Sequence, residues 1–167
     1  MGRVVAILLL VLLAGSVRAE LPGILSWETE QNLETVYREV YLALEKNSFF
    51  VVFEANIGRN LAGFSMRWGD EYNRNQLQDI RSMVFCNAWY TNQISNIEPA
   101  LLALCPLKVS LYRQGTVTRV VFVRPTHTGR GSPAEKLLEQ LEADVSAAIQ
   151  QGVDEAEKRP FRRSTTR

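Results

Sequence analysis

The side chains in this sequence with the most distinctive chemistry are two cysteines, Cys86 and Cys105, and a single histidine, His127. An even cysteine count in an oxidising compartment reads first as a disulfide. Closing a loop of this length would stabilise the fold by roughly 3 kcal/mol. The pair could instead remain as free thiols. A thiol becomes nucleophilic when a helix N-terminus or a cation lowers its pKa, and Cys86 precedes a predicted helix. Against both readings stands the commonest role of a free cysteine, that of a small buried hydrophobe. Cys105 and His127 can be drawn as a thiol–imidazole pair. A structural zinc site takes four ligands, however, and a catalytic pair needs an orienting third group. We assign no catalytic residue and no metal ligand, and read His127 as a solvated loop residue.

Trp68, Tyr72, Trp89 and Tyr90 lie in or beside loops, and Asn87 adjoins the last two. Aromatics so placed line a ligand pocket or a subunit contact, or they cap the ends of the core. The sequence has no glycine-rich phosphate loop, paired-carboxylate motif or nucleophile elbow, and no cofactor motif. Arg59, Arg67, Arg74 and Arg81 are interspersed with Asp70, Glu71 and Asp79, which reads as a mixed solvated surface.

The elements that must position these residues follow from periodicity. After a short lead-in at Pro22-Gly23, Leu33, Val36, Tyr37, Val40 and Leu44 recur at helical steps. They predict a helix over 30–46, with Thr29 as N-cap and Asn47 at the C-terminal end. Phe49 to Phe53 is a buried strand. Residues 56–63 fit a short helix or a loop. Phe64 to Trp68 alternates and reads as an edge strand, and 69–75 as a polar surface excursion. Ile80 to Phe85 is a second core strand. A helix follows over 92–104, with Pro99 as a warning within it. Leu107–Tyr112 and Val117–Val123 form a hairpin about Gln114-Gly115. Ser132 and Glu135 make a capping box with Pro133 at the first helical position, opening a helix that Gly152 ends. The domain is set at 24–152. Residues 153–167, ending in a basic run from Lys158, are expected to be a disordered tail. The expected fold is α/β (α+β): a two-layer sandwich, with helices on one mixed sheet of four to five strands.

The topology decides whether the cysteines meet. Bridging needs Cα atoms within about 7 Å. A parallel crossover between their strands would hold them at opposite ends of the sheet, whereas antiparallel strands would bring the two corners together. The pattern of elements leaves both open.

The first residues read as an address. A basic start at Arg3, an apolar run from Val4 to Ala14 and small residues at Val17 and Ala19 form a signal peptide over 1–19. The run is shorter than the about 20 apolar residues a spanning helix needs. The mature protein is therefore expected in the periplasm or secreted, and not embedded in a membrane. Cleavage would remove Arg3 and Arg18 and no acid, taking the formal charge from +1 to −1. A nearly neutral domain has no electrostatic reason to bind nucleic acid.

The series Asn47-Ser48-Phe49-Phe50, Val84-Phe85-Cys86-Asn87-Ala88 and Leu104-Cys105-Pro106-Leu107-Lys108-Val109, closed by Gln114-Gly115, Arg124-Pro125 and the final helix, resembles the bacterial domain-of-unknown-function 302 family. The resemblance covers about residues 29–152. The chain departs from the family pattern by lacking a glycine before Phe49, by Ala88 in place of a proline, and by a cysteine before Pro106 where the family has it after. The resemblance implies a compact α/β domain, possible as a homodimer, and places both cysteines at strand ends. It implies no activity.

Three functions are compatible with these observations. The first is an exported non-catalytic module that binds a small molecule or a protein. The second is a thiol or redox role for Cys86 or Cys105. The third is structural assembly with a partner.

Overall fold

The computed structural model describes residues 21–160. The expected leader, and residues 161–167 of the expected tail, lie outside them. The order is β1 (Ile24–Thr29), α1 (Leu33–Lys46), β2 (Phe50–Asn56), α2 (Ile57–Ala62), α3 (Ser65–Trp68), β3 (Asp79–Cys86), α4 (Ala88–Ile97), β4 (Leu107–Gln114), β5 (Val117–Val123), α5 (Pro125–Thr128) and α6 (Glu135–Glu157). Short 3₁₀ segments occupy Gly69–Glu71 and Pro99–Leu104. The result is an α+β fold with helices packed on one five-stranded sheet, ordered β1-β5-β4-β3-β2. Every pairing is antiparallel, where the alternation of elements had pointed to a mixed sheet.

Alternation along the strands sets one face toward the helices. In β4, Leu107, Val109 and Leu111 are buried, while Lys108, Ser110 and Tyr112 are more exposed. Phe85, Met83, Val120 and Phe122 complete the inward layer. Onto it α1 sets Val36, Val40 and Leu44, and α6 sets Leu138, Leu141, Val145 and Ile149. Burying each such side chain contributes about 1.5–3 kcal/mol. The β4–β5 hairpin turns on Gly115, whose φ of 59° a side chain would strain.

Several local expectations differ from the structure, each for a physical reason. Thr29 is not a helix cap: it ends β1, a strand the sequence reading passed over, and Asn32 caps α1 by accepting from Thr35 N at 2.9 Å. Residues 64–68 form helix α3 with its cap at Phe64, not an edge strand. The Phe64 and Trp68 rings stack at 5.0 Å, so the four-residue spacing outranks the alternation. The predicted helix over 92–104 is two pieces. Asn87 opens α4 eleven residues before Glu98, and Pro99 begins a separate 3₁₀ segment. The capping box does not form. Ala134 is the N-cap of α6, and Ser132 Oγ is buried without a partner.

Gly152 does not end α6, which runs five residues further, to Glu157. It lies where α1 and α6 cross. A Cβ there would fall 2.5 Å from Val40 Cα, so only glycine permits the approach. At the other end of α6, buried Glu142 accepts from Arg124 Nε at 2.9 Å, Thr126 N at 3.1 Å and the Thr126 hydroxyl. Burial alone would raise its carboxyl. The bonds from Thr126 and Arg124 outweigh that and hold it below the ordinary carboxylate value. They fix α5 against α6.

Candidate functional site

Two sites emerge from this frame, at different corners of the sheet. The first is at the exit of β3. Pairing of Phe85 with Leu107 in the antiparallel β3–β4 ladder brings the end of β3 beside the approach to β4. Asn87 then turns the chain into α4. Its Oδ1 accepts from Tyr90 N at 3.0 Å, and its Nδ2 donates to Ser48 O at 3.1 Å. One turn into α4, Thr91 Oγ1 lies 3.1 Å from Cys86 Sγ and 3.5 Å from Cys105 Sγ. The antiparallel alternative therefore holds, and the two corners meet. Both cysteines are free, half-buried thiols. Burial pushes the Cys105 thiol up. The Thr91 hydroxyl pulls it down, and the neighbouring Cys86 adds to the rise.

The second site is a cleft of about 470 Å³ between α2 and the segment from Tyr72 to Ile80. Asn56 starts α2 by accepting from Arg59 N at 2.8 Å. Gly58 lets α2 close on β3, since a Cβ there would lie 3.1 Å from Ile80 N. The far wall is shaped by Asn73, at φ 47°, whose side-chain amide spans to Leu77 through two bonds of 2.8 Å. Leu61, Ala62, Leu77 and Ile80 supply apolar lining, and Arg59, Tyr72 and Asn75 polar groups. The charged residues here differ in their engagement. Arg74 pairs with Glu71 and Asp79 with Arg81. Among the described residues, no ion pair or hydrogen bond engages the Arg59 guanidinium, whose residue is held only through its backbone N–H to Asn56.

The residues singled out from sequence divide between these corners and the core. Cys86, Cys105 and Asn87 come together at the first corner. Tyr90 is 7% exposed, donates to Asp144 at 2.6 Å and stacks on Phe49, so it ties α4 to α6. Desolvation and the Asp144 carboxylate both raise its phenol. Trp89 is exposed, edge-on to Tyr90. Trp68 stacks on Phe64 in α3. His127 lies in α5 with its imidazole over Gly23, while the hydrogen bonds of the two sulfurs run to Thr91. Of the aromatics marked from sequence, Tyr72 lines the cleft, and the other residues named here do not. The cleft draws on stretches that the sequence predicts as a short helix or loop over 56–63, a polar excursion over 69–75 and the start of the second core strand at Ile80. The signal there was the run Asn73-Arg74-Asn75 beside apolar Leu77 and Ile80.

Among the described residues no group of three or more His, Cys, Asp or Glu is placed to hold a metal ion. Among them, too, no helix is long and apolar enough to cross a membrane.

The fold has a counterpart among solved structures. The crystal structure of an uncharacterized conserved protein DUF302 from Bacillus stearothermophilus superposes with a TM-score of 0.68 at 13% identity. The match covers 78% of this chain and 98% of that one. At that identity the likeness concerns the fold alone. No curated protein matches the chain. The family model for domain of unknown function DUF302 matches residues 25–156, from the second residue of β1 almost to the end of α6. With that span covering nearly the whole described fold, the chain belongs to the DUF302 family.

Proposed function

We propose that the protein is exported, losing residues 1–19 after Ala19, and works in the periplasm or outside the cell as a non-catalytic module that binds a small organic anion. The cleft at α2 is the observation that supports this. Its volume of about 470 Å³ suits a small-molecule site, where about 300–1,000 Å³ is usual. Its apolar lining would take a hydrocarbon body, and the unengaged guanidinium of Arg59 would take a carboxylate. The one carboxylate that lines it among the described residues, Asp79, is paired with Arg81, which favours binding over chemistry. The test is a thermal-shift panel of mono- and dicarboxylates with aliphatic or aromatic bodies. A ligand at a hundred times its Kd stabilises by about 2.7 kcal/mol, so Tm should rise by several degrees. Arg59→Ala should abolish the rise. No shift with any carboxylate, or an equal shift in Arg59→Ala, would overturn the reading.

Assembly is a second reading, favoured by a separate observation. On the sheet face turned away from α1 and α6, Phe50, Phe53 and Val123 are about half exposed. Sheets bury such faces against one another, and the occupant this reading names is a second copy of the chain. Sedimentation should then show a homodimer that Phe53→Lys dissociates. A monomer at all concentrations would remove it.

A further inference from the structure

We propose that Cys86 and Cys105 form a dithiol–disulfide couple that exchanges with external disulfides, with Cys86 as the attacking thiol and Cys105 as the resolving one. The inference is independent of the cleft and rests on the geometry at the exit of β3. Two thiols far apart in sequence share one hydroxyl, Thr91 Oγ1, at 3.1 and 3.5 Å. That hydroxyl has a single hydrogen and three candidate acceptors: the two sulfurs and Asn87 O at 3.0 Å. When both thiols are protonated, Thr91 can donate to Asn87 O and accept from Cys86. When Cys86 is a thiolate, the same hydroxyl can turn and donate to it. The arrangement therefore serves either protonation state without moving the backbone.

The roles divide by position. Cys86 stands immediately before Asn87, the N-cap of the ten-residue helix α4, with its sulfur 3.1 Å from the Thr91 hydroxyl. Cys105 is the thiol that burial pushes up, and Cys86 adds to that rise. Capture of Cys86 in a mixed disulfide removes its charge, and with it one of the influences keeping Cys105 protonated.

The exchange balances. The Cys86 thiolate attacks one sulfur of an external disulfide RSSR, displaces RS⁻ and leaves a mixed disulfide, Cys86–S–S–R. Cys105 loses its proton to solvent and attacks the Cys86 sulfur, displacing the second RS⁻. Two protein thiols are oxidised to one disulfide. The external disulfide takes up the electron pair and, with two protons, leaves as two RSH. The bond would tie the β3–α4 corner to the entry of β4, closing α4 and the Pro99–Leu104 segment into a covalent loop.

The probe is glutathione. The full chain is equilibrated in glutathione buffers of graded redox poise, alkylated under denaturing conditions and weighed. Both labels should disappear together as the poise becomes oxidising, in a protein that stays monomeric on a non-reducing gel. Cys105→Ser should trap a glutathione adduct at Cys86, and Cys86→Ser should acquire one at Cys105 more slowly, since burial pushes that thiol up. The wild-type titration needs no variant and so stands whether or not either variant folds. Two labels persisting at the most oxidising poise, glutathione adducts on both wild-type cysteines, or covalent dimers would each overturn the proposal.

Discussion

The two layers around α1 and α6 and the excursion between β2 and β3 are built on opposite terms. Where α1 crosses α6, the helices are so close that Gly152 has no room for a methyl group against Val40. In the excursion, α2, α3 and the Gly69–Glu71 turn contain no buried residue at all, and Met66 is 99% exposed. The first region is committed to packing and the second is free of it. Loops released from the core are where binding groups can be placed without cost to the fold, and the cleft lies there.

The contrast can be broken by substitution. The largest effect belongs to the packed side. Phe85 is fully buried between Phe49 and Phe122, and Phe85→Ala should lower unfolding stability by about 4 kcal/mol in urea titrations. A loss near zero would mean that the sheet does not carry the core described. Glu142 gives a smaller effect with a pH signature. Its folded carboxyl is held below the ordinary value, so its contribution is complete above the unfolded carboxylate pKa and disappears as pH falls through the folded one. Glu142→Gln should cost about 2 kcal/mol at neutral pH. The gap to wild type should narrow as pH drops below the carboxylate range, and a gap that widened in acid would refute the assignment. The smallest effect is expected in the excursion, where Met66→Ser should change stability by no more than about 0.5 kcal/mol. A larger loss would show that this segment is packed after all.

The same contrast explains what could be read from sequence. The stripe Val36, Val40, Leu44 and the hairpin about Gly115 were legible because burial imposes a local period on residues that must face the core. β1 was not, since Ile24–Thr29 mixes Ser26 and Glu28 with Trp27 and finds its partner in β5, almost a hundred residues away. Phe64 to Trp68 misled because five alternating residues fit a strand as well as a helical turn, and without burial nothing decided between them. The Cys86–Cys105 corner waited on one fact, the direction of β4 beside β3. No residue between them encodes that direction. The cleft escaped because Arg59 and Asn73 are ordinary surface types. What sets them apart is the chain geometry, including the approach of α2 that Gly58 allows.

The claim that recognition sits on the excursion while the helical side only supports it can be tested residue by residue. A titration of the isotope-labelled protein with the carboxylate of largest thermal shift, followed by amide NMR, should perturb residues 56–62 and 72–80 and leave α1 and α6 unmoved. Shifts centred on α1, α6 or the open sheet face would contradict it.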